Sequence, residues 1–229
     1  MNAVSWPAAL VFDFDGLILD TETPEFEGWQ ALYTEYGQHL SLQAWGQAIG
    51  TSGGFDPIKD LEELTDQRLD GARLRAEQHA RVIEQVRRQD ALPGVRGLLD
   101  QAQELGIACA VASSSEREWV HGWLLHLGLL ERFALTRCRD DVKRVKPAPD
   151  LYAAAVLGLG VAPEAALALE DSPNGARGAV AAGVPVLVVK NPLTARLTFP
   201  AGLRTAASLA DVNLRGWAAE PIRPLEPRP

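Results

Sequence analysis

The sequence has few cysteines and no long apolar runs. Of its 229 residues only Cys109 and Cys138 are cysteines, too few for a zinc cluster or a disulfide framework. Two isolated cysteines are typical of a reducing compartment, so we expect a cytoplasmic location. No run approaches the roughly 20 apolar residues of a membrane span, and residues 1–11 lack the basic flank and apolar stretch of a signal peptide. We therefore expect no membrane partner.

A shortage of positive charge also restricts the partners. The chain has 30 acidic residues against 22 basic ones, a net charge of −8. Such a protein does not attract a nucleic-acid backbone as a whole, so we expect no nucleic-acid partner. Apolar residues make up 47% of the chain, as is usual for a globular protein that buries a core without disulfide or metal support. No pattern indicates oligomers, and a monomer is the default expectation.

Short aliphatic runs predict the strands of a parallel sheet. They lie at residues 8–12, 107–112, 133–136, 165–169 and 184–189. Because these runs are apolar almost throughout, each strand should be buried on both faces. Segments with a 3.6-residue apolar period lie between the later runs and predict helices. The alternation predicts a doubly wound, Rossmann-like α/β core.

A helical insertion interrupts this alternation. Residues 21–90 contain three apolar stripes at helical spacing and no convincing strand, so we expect an all-helical inserted domain there. The α/β core then comprises residues 1–20 and 91–216. Residues 217–229 are rich in proline, and we expect a C-terminal tail without chemistry.

The strongest chemical signal directly follows the first strand and reads Asp13-Phe14-Asp15-Gly16. Strand side chains alternate, so two acids two positions apart can face the same way. Ligands of open α/β sheets bind at the carboxyl ends of the strands. Buried carboxylates without a partner are costly, and a divalent cation such as Mg²⁺ is the simplest partner.

A second pair of acids, Glu170 and Asp171, ends the fourth predicted strand. Asp171 or Ser172 could instead cap the helix that follows. Since this pair should reach the same sheet edge as Asp13 and Asp15, metal binding is the better interpretation of all four acids.

Two further strand ends carry groups suited to an anion. Ser113 and Ser114 follow the second strand, where hydroxyl and N–H groups before a helix can hold phosphate oxygens, although helix capping is also possible. Lys146 lies in a loop stiffened by Pro147 and Pro149. A lysine at this edge would offset concentrated negative charge. Taken alone, it would be interpreted as a solvated loop lysine.

These four motifs, in this order, resemble those of the haloacid dehalogenase superfamily, most of all its β-phosphoglucomutase-like branch with a helical cap. Residues 13–22 match the first motif and Ser113 the second; Lys146 matches the third, and Glu170-Asp171 the fourth. The resemblance spans about residues 4–210.

The resemblance implies phosphoryl transfer through an aspartyl-phosphate. Asp13 would be the nucleophile, and Asp15 would protonate the leaving alcohol and then deprotonate water. Ser113 and Lys146 would hold phosphate oxygens. Mg²⁺ would be bound by Asp13, the backbone carbonyl of Asp15, Asp171 and, directly or through water, Glu170.

Three departures from the mutases of that branch favour a phosphatase that acts on a small phosphomonoester, such as a sugar phosphate. The loop at residues 50–54 lacks the arginine of the mutase cap, Glu116 replaces a lysine, and Glu25 replaces the cap histidine. The histidine would assist the acid/base step of a mutase, and all three departures remove cationic or imidazole groups, which favours water as the acceptor. A mutase and a non-catalytic phosphometabolite-binding protein stay open as alternatives, whereas the acid at Asp15 argues against dehalogenation.

Cap residues should set the substrate preference. Thr21 matches a residue that helps to position the acid/base, although it could instead cap the first cap helix. We expect Thr51 and Ser52, in the glycine-rich loop at residues 50–54, to approach the leaving group. The cap should close over the cleft and exclude water.

Overall fold

A six-stranded parallel sheet forms the centre of the computed structural model, which describes residues 7–51 and 54–217. Its order is β3-β2-β1-β4-β5-β6, and every pairing is parallel. The strands are β1 (Ala9–Phe12), β2 (Ala108–Ala112), β3 (Leu135–Arg137), β4 (Ala166–Glu170), β5 (Val186–Val189) and β6 (Arg204–Ala206). The predicted α/β core is confirmed. Only β6 was not predicted, because this short edge strand is largely exposed and has no apolar run.

Helices cover both faces of the sheet. Alternate side chains of β1 enter two apolar clusters, with Leu10 and Phe12 on one face and Ala9 and Val11 on the other. The first face packs against α5 (Val95–Glu104) and α6 (Arg117–His126). The second packs against α7 (Asp150–Leu159) and α8 (Pro173–Ala181). Burial on both faces explains why these strands have almost continuous apolar sequences.

Four helices occupy the described part of the insertion between β1 and α5. They are α1 (Glu22–Glu35), α2 (Leu42–Trp45), α3 (Pro57–Thr65) and α4 (Gly71–Val86). Within the described part of residues 21–90 no strand occurs. The chain leaves and re-enters the core at one place, because Leu92 N donates to Ile18 O at 2.8 Å. Trp29, Tyr33 and Leu61 belong to a separate apolar cluster, but the end of α4, including Val86, packs with the core cluster.

The insertion contacts the carboxyl edge of the sheet. Asn174 Nδ2 donates to Ile49 O at 2.9 Å, and Ser114 Oγ donates to Gly50 O at 3.1 Å. A methyl group at Gly50 would collide with the Ser172 hydroxyl. These contacts place the loop after α2 directly above the strand ends that carry the predicted motifs.

The C-terminal helix α9 (Leu214–Trp217) ends the described chain. The predicted tail, residues 217–229, begins one residue too early, because Trp217 belongs to α9. The rest of that tail, residues 218–229, and the predicted substrate residue Ser52 lie outside the described residues. None of the helices that the structure describes is both long and apolar enough to cross a bilayer.

Candidate active site

The end of β1 places Asp13 next to the end of β4. Strands β1 and β4 pair with Phe12 opposite Leu169, and Asp13 N donates to Leu169 O at 2.9 Å. Asp13 is only 3% exposed. Gly16 turns the chain with a φ of +77°, and any side chain there would collide with the Asp171 carboxylate. Glycine at this position therefore permits a left-handed turn and the close approach of Asp171.

Three buried carboxylates form one cluster. Asp13, Glu170 and Asp171 each offer an oxygen within 4.8 Å of the others. Burial, and next the charge of Glu170, raises the pKa of Asp13 well above its ordinary value; for Asp171 the causes are burial and then Asp13. Asp171 Oδ1 is buried without a hydrogen-bond partner. A hard divalent cation fits this set, because it would satisfy that oxygen and offset the excess negative charge.

Lys146 is the buried cation of the cluster. Its Nζ lies 2.6 Å from Asp13 Oδ1 and 2.7 Å from Glu170 Oε1, and its side chain is fully buried. Burial alone would lower the pKa of Lys146, but Asp13 and Glu170 raise it above the ordinary value. The ammonium group therefore stays charged, and the interpretation of Lys146 as a solvated loop lysine is wrong.

Glu170 has donors on both oxygens. Oε1 accepts from Lys146 and from the Tyr152 hydroxyl, the latter at 2.5 Å. Oε2 accepts from the backbone N and the hydroxyl of Ser172, each at 3.1 Å. A methyl group at Gly175 would collide with this carboxylate. Glu170 thus holds Lys146 in place. Because both of its oxygens already accept hydrogen bonds, contact of Glu170 with a metal through water is favoured over direct contact.

The helix after this pair is capped by Ser172. Its hydroxyl accepts from Gly175 N at 3.0 Å, at the start of α8. Asp171 is therefore not needed as the cap of this helix. Its Oδ2 accepts instead from Asn191 Nδ2, at 2.8 Å.

Four side chains donate to Asp15. Oδ1 accepts from Thr21 Oγ1 at 2.8 Å and from Trp119 Nε1 at 2.9 Å. Oδ2 accepts from Ser115 Oγ at 2.6 Å and from Ser113 Oγ at 3.3 Å. Thr21 occupies the N-cap position of α1 but makes no side-chain capping bond there. The hydroxyl of Thr21 therefore contacts the predicted acid/base, and its alternative role as a helix cap is wrong.

A cavity of about 600 Å³ lies between the insertion and the core. Predicted site residues in its wall are Asp13, Asp15, Thr21, Glu25, Thr51 and Ser114. Burial, followed by the charge of Asp15, raises the pKa of Glu25 to about 7. The hydroxyls of Thr51 and Ser114 make contacts between insertion and core, since Thr51 donates to Lys146 O and Ser114 to Gly50 O.

Positively charged side chains that the sequence analysis did not assign to the site also line this cavity. Arg75 of α4 and Arg139, which follows β3, both line it, as does His79. Arg75 pairs with Asp56 at 2.5 Å, and Arg139 with Glu116 at 3.7 Å. The three departures from the mutases therefore do not leave the cavity without cationic or imidazole side chains, because the three-dimensional fold brings in such side chains from other positions.

Three more contributors were missed. Asn191, which donates to Asp171 and also to Gly16 O at 3.1 Å, follows β5, so the same strand-end reasoning would have found it. Tyr152 and Trp119 lie within helices, where an aromatic residue normally indicates core packing.

The comparisons with known proteins identify the family. Residues 10–189 match the family model described as haloacid dehalogenase-like hydrolase. The chain is 42% identical over 206 residues to YhcW of Bacillus subtilis (strain 168), named as a phosphatase, covering 90% of this chain and 94% of that protein. It is 31% identical over 194 residues to the fructose-1-phosphate phosphatase YqaB of Escherichia coli (strain K12), covering 80% and 96%.

A solved structure shares the architecture. The crystal structure of CbbY from Rhodobacter sphaeroides in complex with phosphate superposes with a TM-score of 0.70 at 28% identity, covering 89% of this chain and 95% of that one. The family match spans well over half of the chain and confirms the resemblance drawn from the four motifs. The chain belongs to the haloacid dehalogenase-like hydrolases, and it is a phosphoric monoester hydrolase.

Proposed function

We propose that the protein is a Mg²⁺-dependent phosphatase that hydrolyses a small phosphorylated metabolite, such as a sugar phosphate, through an aspartyl-phosphate on Asp13. One observation carries this proposal. The unpartnered Oδ1 of Asp171 lies in a buried group of acids that also includes Asp13. Asp13 is paired with Lys146 and lines the cavity between the insertion and the core. A cation and a phosphate group would together complete the bonding of this cluster.

The side chains of Asp13 and Asp171 and the backbone carbonyl of Asp15 are the proposed Mg²⁺ ligands, with Glu170 acting through water. The metal would neutralise negative charge on the transferring phosphoryl group. Ser113, Ser114 and Lys146 are the proposed phosphate-binding residues.

Two half-reactions follow from this arrangement. In the first, a carboxylate oxygen of Asp13 attacks phosphorus, the bond from phosphorus to the leaving oxygen breaks, and Asp15 gives its proton to that oxygen. In the second, water attacks the same phosphorus, and Asp15 takes the proton. The bond between phosphorus and Asp13 then breaks, which releases inorganic phosphate and regenerates the carboxylate. Lys146 offsets the negative charge of the nucleophile in both steps.

The insertion is proposed to act as a cap domain, residues 21–90, on a core of residues 1–20 and 91–216. Its cavity is large enough for a small metabolite, and the bonds from Asn174 and Ser114 hold its loop against the sheet edge. The sugar phosphate assignment draws on the name of YqaB. The cytoplasmic location is proposed because both cysteines are unpaired and buried.

The test is phosphate release from para-nitrophenyl phosphate and from a panel of phosphorylated metabolites, with Mg²⁺ and with EDTA. We expect metal-dependent turnover that Asp13→Asn reduces roughly 10³-fold or more. Asp20→Asn is the matched control, since this nearby carboxylate accepts from Thr23 N, and an asparagine can keep that bond. Turnover that persists in Asp13→Asn, or in EDTA, would contradict the proposed mechanism.

A mutase is the second candidate, because Arg75 and Arg139 line the cavity and could bind a second phosphate. Both already pair with carboxylates, which favours the phosphatase. Phosphorus NMR of a hexose 1-phosphate, incubated with a catalytic amount of hexose bisphosphate, separates the two. Free phosphate is expected, and accumulation of the isomeric 6-phosphate would instead show a mutase.

A further inference from the structure

Trp119 makes a polar contact that core packing does not require. It lies in α6 and is only partly buried, and its Nε1 donates to Asp15 Oδ1 at 2.9 Å. Trp119 lines both the 600 Å³ cavity and a second cavity of about 580 Å³. An indole used only for packing could direct its N–H to water in either space. Here the N–H instead donates to a carboxyl oxygen of the predicted acid/base.

The chemistry of the indole distinguishes it from the other donors to Asp15. An indole N–H can only donate, whereas the hydroxyls of Ser113, Ser115 and Thr21 can donate or accept. Trp119 and Thr21 both contact Oδ1, and the two serine hydroxyls contact Oδ2. When Asp15 carries a proton, the serine hydroxyls can reverse to accept it, but the indole cannot. The proton is therefore accommodated best on Oδ2.

Aromatic neighbours fix the position of this indole. His79, from α4 of the insertion, lies 5.6 Å from the Trp119 ring, and Trp123, one turn further along α6, packs edge-on at 5.5 Å. The row continues to His126, 5.6 Å from Trp123. Trp119 is thus held between a helix of the insertion and its own helix in the core, and such packing limits its rotamers.

We propose that Trp119 is a positioning residue that holds Asp15 through Oδ1, so that Oδ2 carries the proton given to the leaving alcohol. This inference rests on the proposed phosphatase function. It deepens that function by assigning a residue to the orientation of the general acid. Misplacement of a general acid by a fraction of an ångström is costly, because proton transfer requires hydrogen-bond distance in the transition state.

The experiment uses the dependence of the rate on the leaving group. Para-nitrophenolate departs without protonation, whereas the alkoxide of a sugar phosphate must be protonated as it leaves. Trp119→Phe keeps the aromatic packing and removes the N–H. We expect this variant to lower kcat for an alkyl or sugar phosphate about 10- to 100-fold. The kcat for para-nitrophenyl phosphate should fall less than about 3-fold, and KM should change little for either ester.

Trp123→Phe is the matched control, since it changes the same aromatic row without touching Asp15, and it should affect both esters alike. If Trp119→Phe lowers kcat equally for both esters, or for neither, the proposed role of Trp119 is overturned, but the proposed function is not. No turnover of either ester by the unmodified chain would overturn the proposed function as well. If circular dichroism shows that Trp119→Phe does not fold, Trp119→Leu, which is apolar and also lacks the indole N–H, is assayed with the same expectation.

Discussion

Removal of one negative charge from the acidic cluster should stabilise the metal-free protein. Asp13, Glu170 and Asp171 lie within 4.8 Å of one another, and Lys146 is the ammonium group between two of them. At an effective dielectric constant of about 20, two unit charges at this distance repel by roughly 3.5 kcal/mol. Lys146 and partial protonation reduce this cost. Asp171→Asn should therefore raise the free energy of unfolding in EDTA by about 1–3 kcal/mol.

The effect of Asp171→Asn should depend on pH in a defined direction. The pKa of Asp171 in the folded chain is raised, first by burial and next by Asp13, above its ordinary value of 3.8. A group with a raised pKa binds its proton more tightly in the folded state. The folded state therefore loses stability as the pH rises above the pKa that the group has in the unfolded chain. The advantage of the variant should consequently vanish near pH 4 and grow as the pH rises above it.

Thermal unfolding with EDTA and with excess Mg²⁺ measures both effects. Each 1 kcal/mol shifts the midpoint by about 2–4 °C in a protein of this size, so Asp171→Asn in EDTA should unfold roughly 2–12 °C higher. Mg²⁺ at 100 times its Kd should stabilise the unmodified chain by about 2.7 kcal/mol, and the variant far less.

Asp211→Asn, at an exposed position, is the control and should change neither midpoint appreciably. The reasoning fails if Asp171→Asn is destabilised in EDTA, or if it keeps the Mg²⁺ response of the unmodified chain.

Two further substitutions test the groups that hold Lys146. Gly175→Ala should reduce phosphatase activity and lower the unfolding midpoint, because its methyl group would collide with Glu170. The control Gly97→Ala, in a helix with open space around it, should be neutral or stabilising by about 0.5–1 kcal/mol. Equal stability of the two variants would contradict this. Tyr152→Phe should lower the free energy of unfolding in urea by about 1–3 kcal/mol, since it removes a buried bond to a carboxylate, and an unchanged midpoint would show that this bond contributes nothing.

Much of the site could be predicted because its residues follow strands. Buried parallel strands have a recognisable apolar sequence, and their carboxyl ends meet at one edge whatever the strand order. That reasoning was sufficient for Asp13, Asp15, Ser113 and Asp171, which the structure brings to that edge. This prediction did not depend on knowing that β1 pairs with β4, although that pairing is what places Asp13 next to Asp171.

Residues in helices were harder to assign. Trp119 belongs to an apolar stripe with Val120 and Trp123, and periodicity predicts which face of a helix is buried. It cannot predict the direction of a single N–H, which depends on the rotamer and on the partner that tertiary packing supplies. For the same reason Arg75 was missed, since its place in the cavity wall depends on how α4 packs in the folded chain.

The charge balance of the site links its two expected ligands. Three carboxylates against one buried ammonium give the cluster an excess of negative charge, and a phosphate ester would bring more. A divalent cation would lower the electrostatic cost of binding that ester, and the bound ester would in turn provide oxygens for the cation. Since such coupling is reciprocal, each ligand should raise the affinity for the other by the same factor. Lys146 cannot supply this coupling alone, because its charge is already shared between Asp13 and Glu170.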